Sequence, residues 1–130
     1  MRTKDTHGFR FRDWQVYKDS RQFRKDINHL VKKFPADERY ALSDQTKRAL
    51  TSIILNIAES TNKNSDKEMK VYINRSHCSL DEVVACLDCA YDDDYISEQD
   101  LETALTKAES LAKQLTAFTV YLSKDKKVNR

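Results

Sequence analysis

Glycine and proline are nearly missing from this 130-residue chain, which holds one of each, Gly8 and Pro35. Tight turns and positive-φ corners lean on those residues, so their scarcity argues against a turn-rich β architecture and for long helices. No run of 18 apolar residues occurs, and no membrane span is expected. Cysteine is sparse and odd in number (Cys78, Cys86 and Cys89), and no leader-like segment opens the chain. A reducing cytoplasm is therefore expected, and a disulfide framework is not. The net charge of +2 excludes little by itself, but the charge is segregated. Residues 1–34 carry ten Lys/Arg against four Asp/Glu, residues 92–110 one against seven, and residues 111–130 five against one.

What the chain does have is helical periodicity, in four stretches. Val16, Ser20, Phe23, Ile27, Leu30, Val31 and Phe34 recur at spacings that put them on one helix face, with Asp13 as the expected N-cap and Pro35 as the stop. A second helix is predicted from its cap Ser43 to about Asn62, with Leu42, Thr46, Ala49, Leu50, Ile53, Ile54 and Ile57 facing the core. Ser65 and Glu68 read as a capping box for a third helix ending near Tyr91, and Ser97 with Asp100 as one for a fourth. The core faces of these two run through Met69, Tyr72, Ile73, Ser76, Leu80, Val83, Leu87 and Ala90, and through Leu101, Ala104, Leu105, Ala108, Leu111, Ala112, Leu115, Phe118 and Leu122. Short links between four amphipathic helices predict an all-α, antiparallel up-down-up-down four-helix bundle over residues 13–123. A basic arm (1–12) and a basic tail (124–130) flank it. In that topology the basic segments gather at one end and the Asp92–Asp94 turn lies at the other.

The run Phe34-Pro35, Glu38, Leu42, Gln45, Arg48-Ala49, Ser52-Ile53, Asn56-Ile57-Ala58-Glu59, with Ser79-Leu80-Asp81-Glu82-Val83 and Tyr95-Ile96 further on, resembles a bacterial family. These are the four-helix bundle proteins encoded in intervening sequences of 23S ribosomal RNA genes. The resemblance spans roughly residues 9 to 122. Ser60 and Cys78 stand where that family commonly has glycine. The resemblance implies a homo-oligomer, typically a pentameric ring, and a link to ribosomal RNA genes. Relatives with the same fold serve as accessory subunits of reverse transcriptases in diversity-generating retroelements, with a more strongly basic balance than this chain.

Two kinds of surface are candidates for function. Trp14, Lys18, Arg21, Lys25, Asn28 and Lys32 share one face of the first helix, opposite its core side. Cations can neutralise phosphates and an aromatic among them can stack on a base, so Trp14, Lys18, Arg21, Lys25 and Lys32, with Lys63, Lys124, Lys126 and Lys127, are the candidate RNA-binding set. An ordinary solvated face, or a subunit contact for Trp14, is the competing reading. The second kind is structural. Arg48, Ser52, Asn56 and Glu59 form a polar stripe interrupted by Leu55, and Val71, Cys78, Ala85 and Cys89, flanked by Arg75 and Glu82, form a stripe of small residues opposite the core face of the third helix. Both are read as contacts with further copies of the chain, and Glu38 or Glu82 is the expected partner of Arg48.

Catalytic and metal readings find little to stand on. Cys86-x-x-Cys89 lacks a second ligand pair, and the acidic turn (Asp92, Asp93, Asp94, Glu98, Asp100) lacks the glycine and terminal glutamate of a calcium loop. His7, His29 and His77 converge on no motif. A non-enzymatic, cofactor-free oligomeric adaptor for RNA or a ribonucleoprotein is expected, with no membrane partner. A protein–protein assembly module without nucleic acid, or a reverse-transcriptase accessory subunit, is the alternative.

Overall fold

The computed structural model describes residues 6–124. Its framework is four helices, α1 (Gln15–Val31), α2 (Leu42–Ser60), α3 (Asp66–Asp92) and α4 (Glu98–Ser123), with 3-10 turns at Arg10–Asp13 and Ala36–Glu38. Residues 1–5 and 125–130, among them Lys126 and Lys127 of the candidate RNA-binding set, lie outside the described residues.

The helix ends show which local signals were used. Asp13 does not cap α1. It closes the preceding 3-10 turn, and extended Trp14 (φ −73°, ψ 133°) is the cap, its carbonyl accepting the amides of Tyr17 and Lys18. Ser43 does not cap α2 either. It is buried one residue inside, and the Glu38 carboxylate takes the Leu42 amide at 3.2 Å instead. At α3 the Ser65 hydroxyl accepts the Glu68 amide as expected, but the Glu68 carboxylate reaches Asn64 rather than Ser65. At α4 the box of Ser97 and Asp100 is complete. The acidic turn owes its shape to a Schellman closure of α3. Tyr95 donates its amide to Ala90, Asp94 donates to Tyr91, and Asp94 takes the left-handed position (φ 64°) that glycine usually fills. Aspartate is among the few other residues that visit this region.

The expected core faces are largely inside, but Ile54 of α2 lines a surface cleft, and Leu30, Leu42, Met69, Tyr72, Leu105, Ala112 and Phe118 are only partly buried. Ile53, Ile57, Ile73, Leu80, Val83, Leu87 and Leu115 are almost wholly excluded from water. Three buried hydroxyls are satisfied within their own helices: Ser20 donates to Val16, Thr46 to Leu42 and Ser60 to Ile57, whereas the Thr61 hydroxyl is buried without a partner. Ser60, standing at a family glycine position, thus fits with its hydroxyl bonded to its own helix. Cys86 is also buried, a position absent from the predicted core face, and burial pushes its thiol pKa up.

Polar pairs set the antiparallel register of α1 on α4. Asp19 accepts from Gln114 at 2.8 Å, Asp26 from Lys107 at 3.0 Å, and Asp100 from Lys33 at 2.9 Å. The three pairs step by seven residues in opposite directions, along α4 and along α1 with the turn just past its end that holds Lys33, so one seam repeats every two turns. The Lys33 hydrogen bond, ahead of a smaller opposing effect of burial, holds the Asp100 pKa below its ordinary 3.8. At Asp26 burial opposes ionisation, but hydrogen bonds from Gln22 and Lys107 and the charges of Lys107 and Lys25 outweigh it, again lowering the pKa from 3.8.

Depressed carboxyl pKa values contribute stability that is complete above the unfolded value and is lost as pH falls through the folded one. The double variant Lys33→Met/Lys107→Met is expected to cost on the order of 1 kcal/mol near neutrality, the scale of two partly exposed pairs. The gap from wild type should close as pH drops from about 4 toward 2, as urea unfolding at stepped pH would reveal. A gap unchanged down to about pH 2 would show that the lysines act through packing.

Candidate nucleic-acid interface

α1 sorts its charges by side. Its acids Asp19 and Asp26 face α4 in the seam just described, where Gln15 and Gln22 also donate to them from one turn before. Its cations face the other way. Lys18, Arg21, Arg24, Lys25 and Lys32, with Asn28 and His29, line a cleft of about 830 Å³ against Thr51 and Ile54 of α2. That lining holds five Lys/Arg and no Asp or Glu. Arg24, absent from the predicted set, is fixed across the cleft by donating to Thr51 Oγ1 at 3.2 Å. Arg21 lies 5.7 Å from the Tyr17 ring centroid, in cation–π range, and Lys18 stands 3.5 Å from Asp13. The Asn28 side-chain oxygen is buried in this region without a hydrogen-bond partner.

Trp14 does not belong to this face. It packs on the core, edge to face with Phe118 at 5.2 Å between centroids, and Arg10 covers it at 6.0 Å. Because Trp14 is the extended cap and not a helical residue, the 100° periodicity that placed it beside Lys18 does not apply to it. Lys63 is drawn away too, 4.2 Å above the Tyr72 ring and 3.8 Å from Glu59, while Arg75 lies 4.5 Å from the same ring. Lys124 is exposed at the C-terminal end of α4.

The residues read as subunit contacts divide similarly. Leu55 is 58% exposed and Val71 46%, and Cys78, Ala85 and Cys89 are exposed as well. The polar stripe of α2 is largely engaged within the chain: Gln45 donates to Glu82, Ser79 to Ser52, and Asn56 to the carbonyl and hydroxyl of Ser52. Arg48 is paired with neither Glu38 nor Glu82. Glu38 is occupied by the Tyr95 hydroxyl and the Leu42 amide, and Glu82 by Gln45, so Arg48 turns to Asp44 one turn earlier at 2.8 Å. That arrangement also pushes the Tyr95 phenol up to about 12, first because its proton is bonded to Glu38.

Among the described residues no group of three or more His, Cys, Asp or Glu is placed to hold a metal ion. No helix among them is long and apolar enough to cross a membrane. The cleft can attract and position an anion. It contains no paired nucleophile and base.

As a class, the protein is a small all-α helical bundle with a cationic cleft along α1. The chain belongs to the 23S rRNA-intervening sequence proteins, whose family model matches residues 12–117. The fold is shared with a protein of unknown function from the S23 ribosomal protein family of Bacteroides thetaiotaomicron, solved by crystallography at 1.70 Å. The two are 24% identical with a TM-score of 0.72, and the match covers 80% of this chain and 97% of that one. No curated protein matches the chain.

An exposed i,i+4 pair such as Asp44–Arg48 contributes little. Arg48→Ala is expected to cost about 0.5 kcal/mol or less in urea unfolding. A loss on the order of 3 kcal/mol, the scale for breaking a buried pair, would mean that a second chain covers this site.

Proposed function

We propose that this protein is a non-enzymatic, cytoplasmic homo-oligomeric adaptor that binds RNA, or the RNA of a ribonucleoprotein, through the α1 cleft. The observation that carries the reading is the convergence of five Lys/Arg on one cleft whose lining holds no carboxylate, Lys18 alone pairing with a carboxylate outside it, Asp13. Such a surface draws phosphates by releasing their counterions, a term that is largely independent of sequence and steeply dependent on salt. The family's name ties it to 23S rRNA intervening sequences, which makes ribosomal RNA the first polyanion to test. Replacing Lys18, Arg21 and Lys25 with Gln should lower the slope of log affinity against log salt by roughly two to three, with assembly intact. Fluorescence anisotropy with ribosomal RNA fragments would measure it. Absence of RNA binding at about 50 mM salt, where phosphate contacts are strong, would defeat the reading.

Self-assembly rests on a separate observation. Leu55 on α2 and Val71, Cys78, Ala85 and Cys89 on α3 face water in the single chain, and apolar or small residues in such stripes suit helix–helix contact. A pentameric ring is the form expected from the family resemblance. Ring closure would turn every subunit the same way and multiply the cationic clefts. Ala85→Arg should lower the mass measured by light scattering, and an unchanged mass would remove this face of α3 from the interface. An assembly module without nucleic acid is the second reading, favoured by the engagement of Trp14 and Lys63 within the chain. A reverse-transcriptase accessory role ranks below both, given a net charge of only +2.

A further inference from the structure

The turn that leads into α1 carries an aromatic series that continues into the cationic cleft. Phe9 meets Phe11 edge to face at 6.3 Å, Phe11 meets Tyr17 at 4.9 Å, and Tyr17 lies under the guanidinium of Arg21, which lines the cleft. The inner members are held. Phe11 and Tyr17 are partly buried, the 3-10 turn packs against both α1 and α2, and Arg10 ties it to the end of α2 by donating to the Thr61 carbonyl at 3.1 Å. The outermost ring is open, with Phe9 60% exposed. Its backbone is fixed on both sides, since its amide donates to Thr6 and its carbonyl accepts from Arg12.

An exposed ring on an ordered turn, joined through two further rings to a row of cations, is the arrangement that serves unpaired bases: the cations follow the phosphates and the ring offers a stacking face. A duplex would use the cations but not Phe9, because its base faces are already stacked. We infer that the nucleic acid held by the cleft is single-stranded, with a base stacked on Phe9 where the strand leaves the cations. This rests on the RNA reading above and adds the strandedness of the ligand and the residue that reads it. Phe9 takes the part that Trp14, turned into the core, does not.

The test uses the full chain, a labelled single-stranded oligouridine of about twelve nucleotides and an RNA duplex of equal length. Anisotropy would be followed across salt concentrations and the solution mass recorded beside it. The single strand is expected to bind more tightly. Phe9→Ala and Phe9→Leu should each weaken it about tenfold, within the range for one lost base stack, while Phe9→Tyr retains binding. Duplex affinity, the salt slope and the mass should not change. If wild type binds RNA but Phe9→Ala binds the single strand equally well, stacking is overturned and the electrostatic reading stands. If Phe9→Ala changes the mass, the ring belongs to a subunit contact and the inference is likewise overturned. If wild type binds neither RNA, both readings fall together.

Discussion

Deep in the bundle, Ser76 of α3 donates its hydroxyl proton to the Ile53 carbonyl of α2 at 2.7 Å. A side chain as small as serine lets the two backbones come close enough for that bond, and Ile53, Ile57, Ile73 and Leu80 close around the same contact with 1% exposure or less. Each such aliphatic side chain contributes about 1.5–3 kcal/mol on burial, whereas a neutral hydrogen bond nets about 1 kcal/mol. The apolar seam therefore holds α2 to α3, and the serine limits how the two helices can slide. This is the most extensive helix contact in the protein, with α4 on α3 next.

α1 is the last layer and the more loosely packed one. Its core stripe is narrow, and long charged side chains begin immediately on both flanks. On the α4 flank, charges of opposite sign meet at heptad spacing and close the seam. On the α2 flank the long side chains are cations with few partners. They line an open cleft that Arg24 spans to Thr51. The same sorting that completes the fold on one side of α1 thus creates its candidate binding surface on the other.

The end of the molecule carrying the first and third links is held differently, by a carboxylate with two partners. Glu38 takes the Leu42 amide and the Tyr95 hydroxyl, joining the start of α2 to the α3–α4 turn, while Tyr95 also packs on Phe34. Three of the residues that carry the family resemblance, Phe34, Glu38 and Tyr95, meet here. Their contribution is architectural, since they close one end of the bundle while the cationic cleft runs along α1.

Periodicity with local stop and cap signals determined the number of helices and most of their core faces, though it missed Cys86 and misplaced Ile54, because burial of an apolar stripe at 3.6-residue spacing is a local rule that any long helix must obey. The box of Ser97 and Asp100 was legible for the same reason: its partners lie within four residues of each other. Reading failed where the chain leaves the helix or where a partner comes from elsewhere. Trp14 was placed by a periodicity that begins one residue after it, and Phe9 lay in a segment with no period to read. Ser43 lost its capping role to Glu38. The partner of Arg48 depended on Tyr95 and Gln45 having already taken the two carboxylates expected for it. Arg24 became part of the cleft only through Thr51, twenty-seven residues away. Side-chain pairing across helices is a competition among all groups within reach, and only the packed structure sets which groups those are.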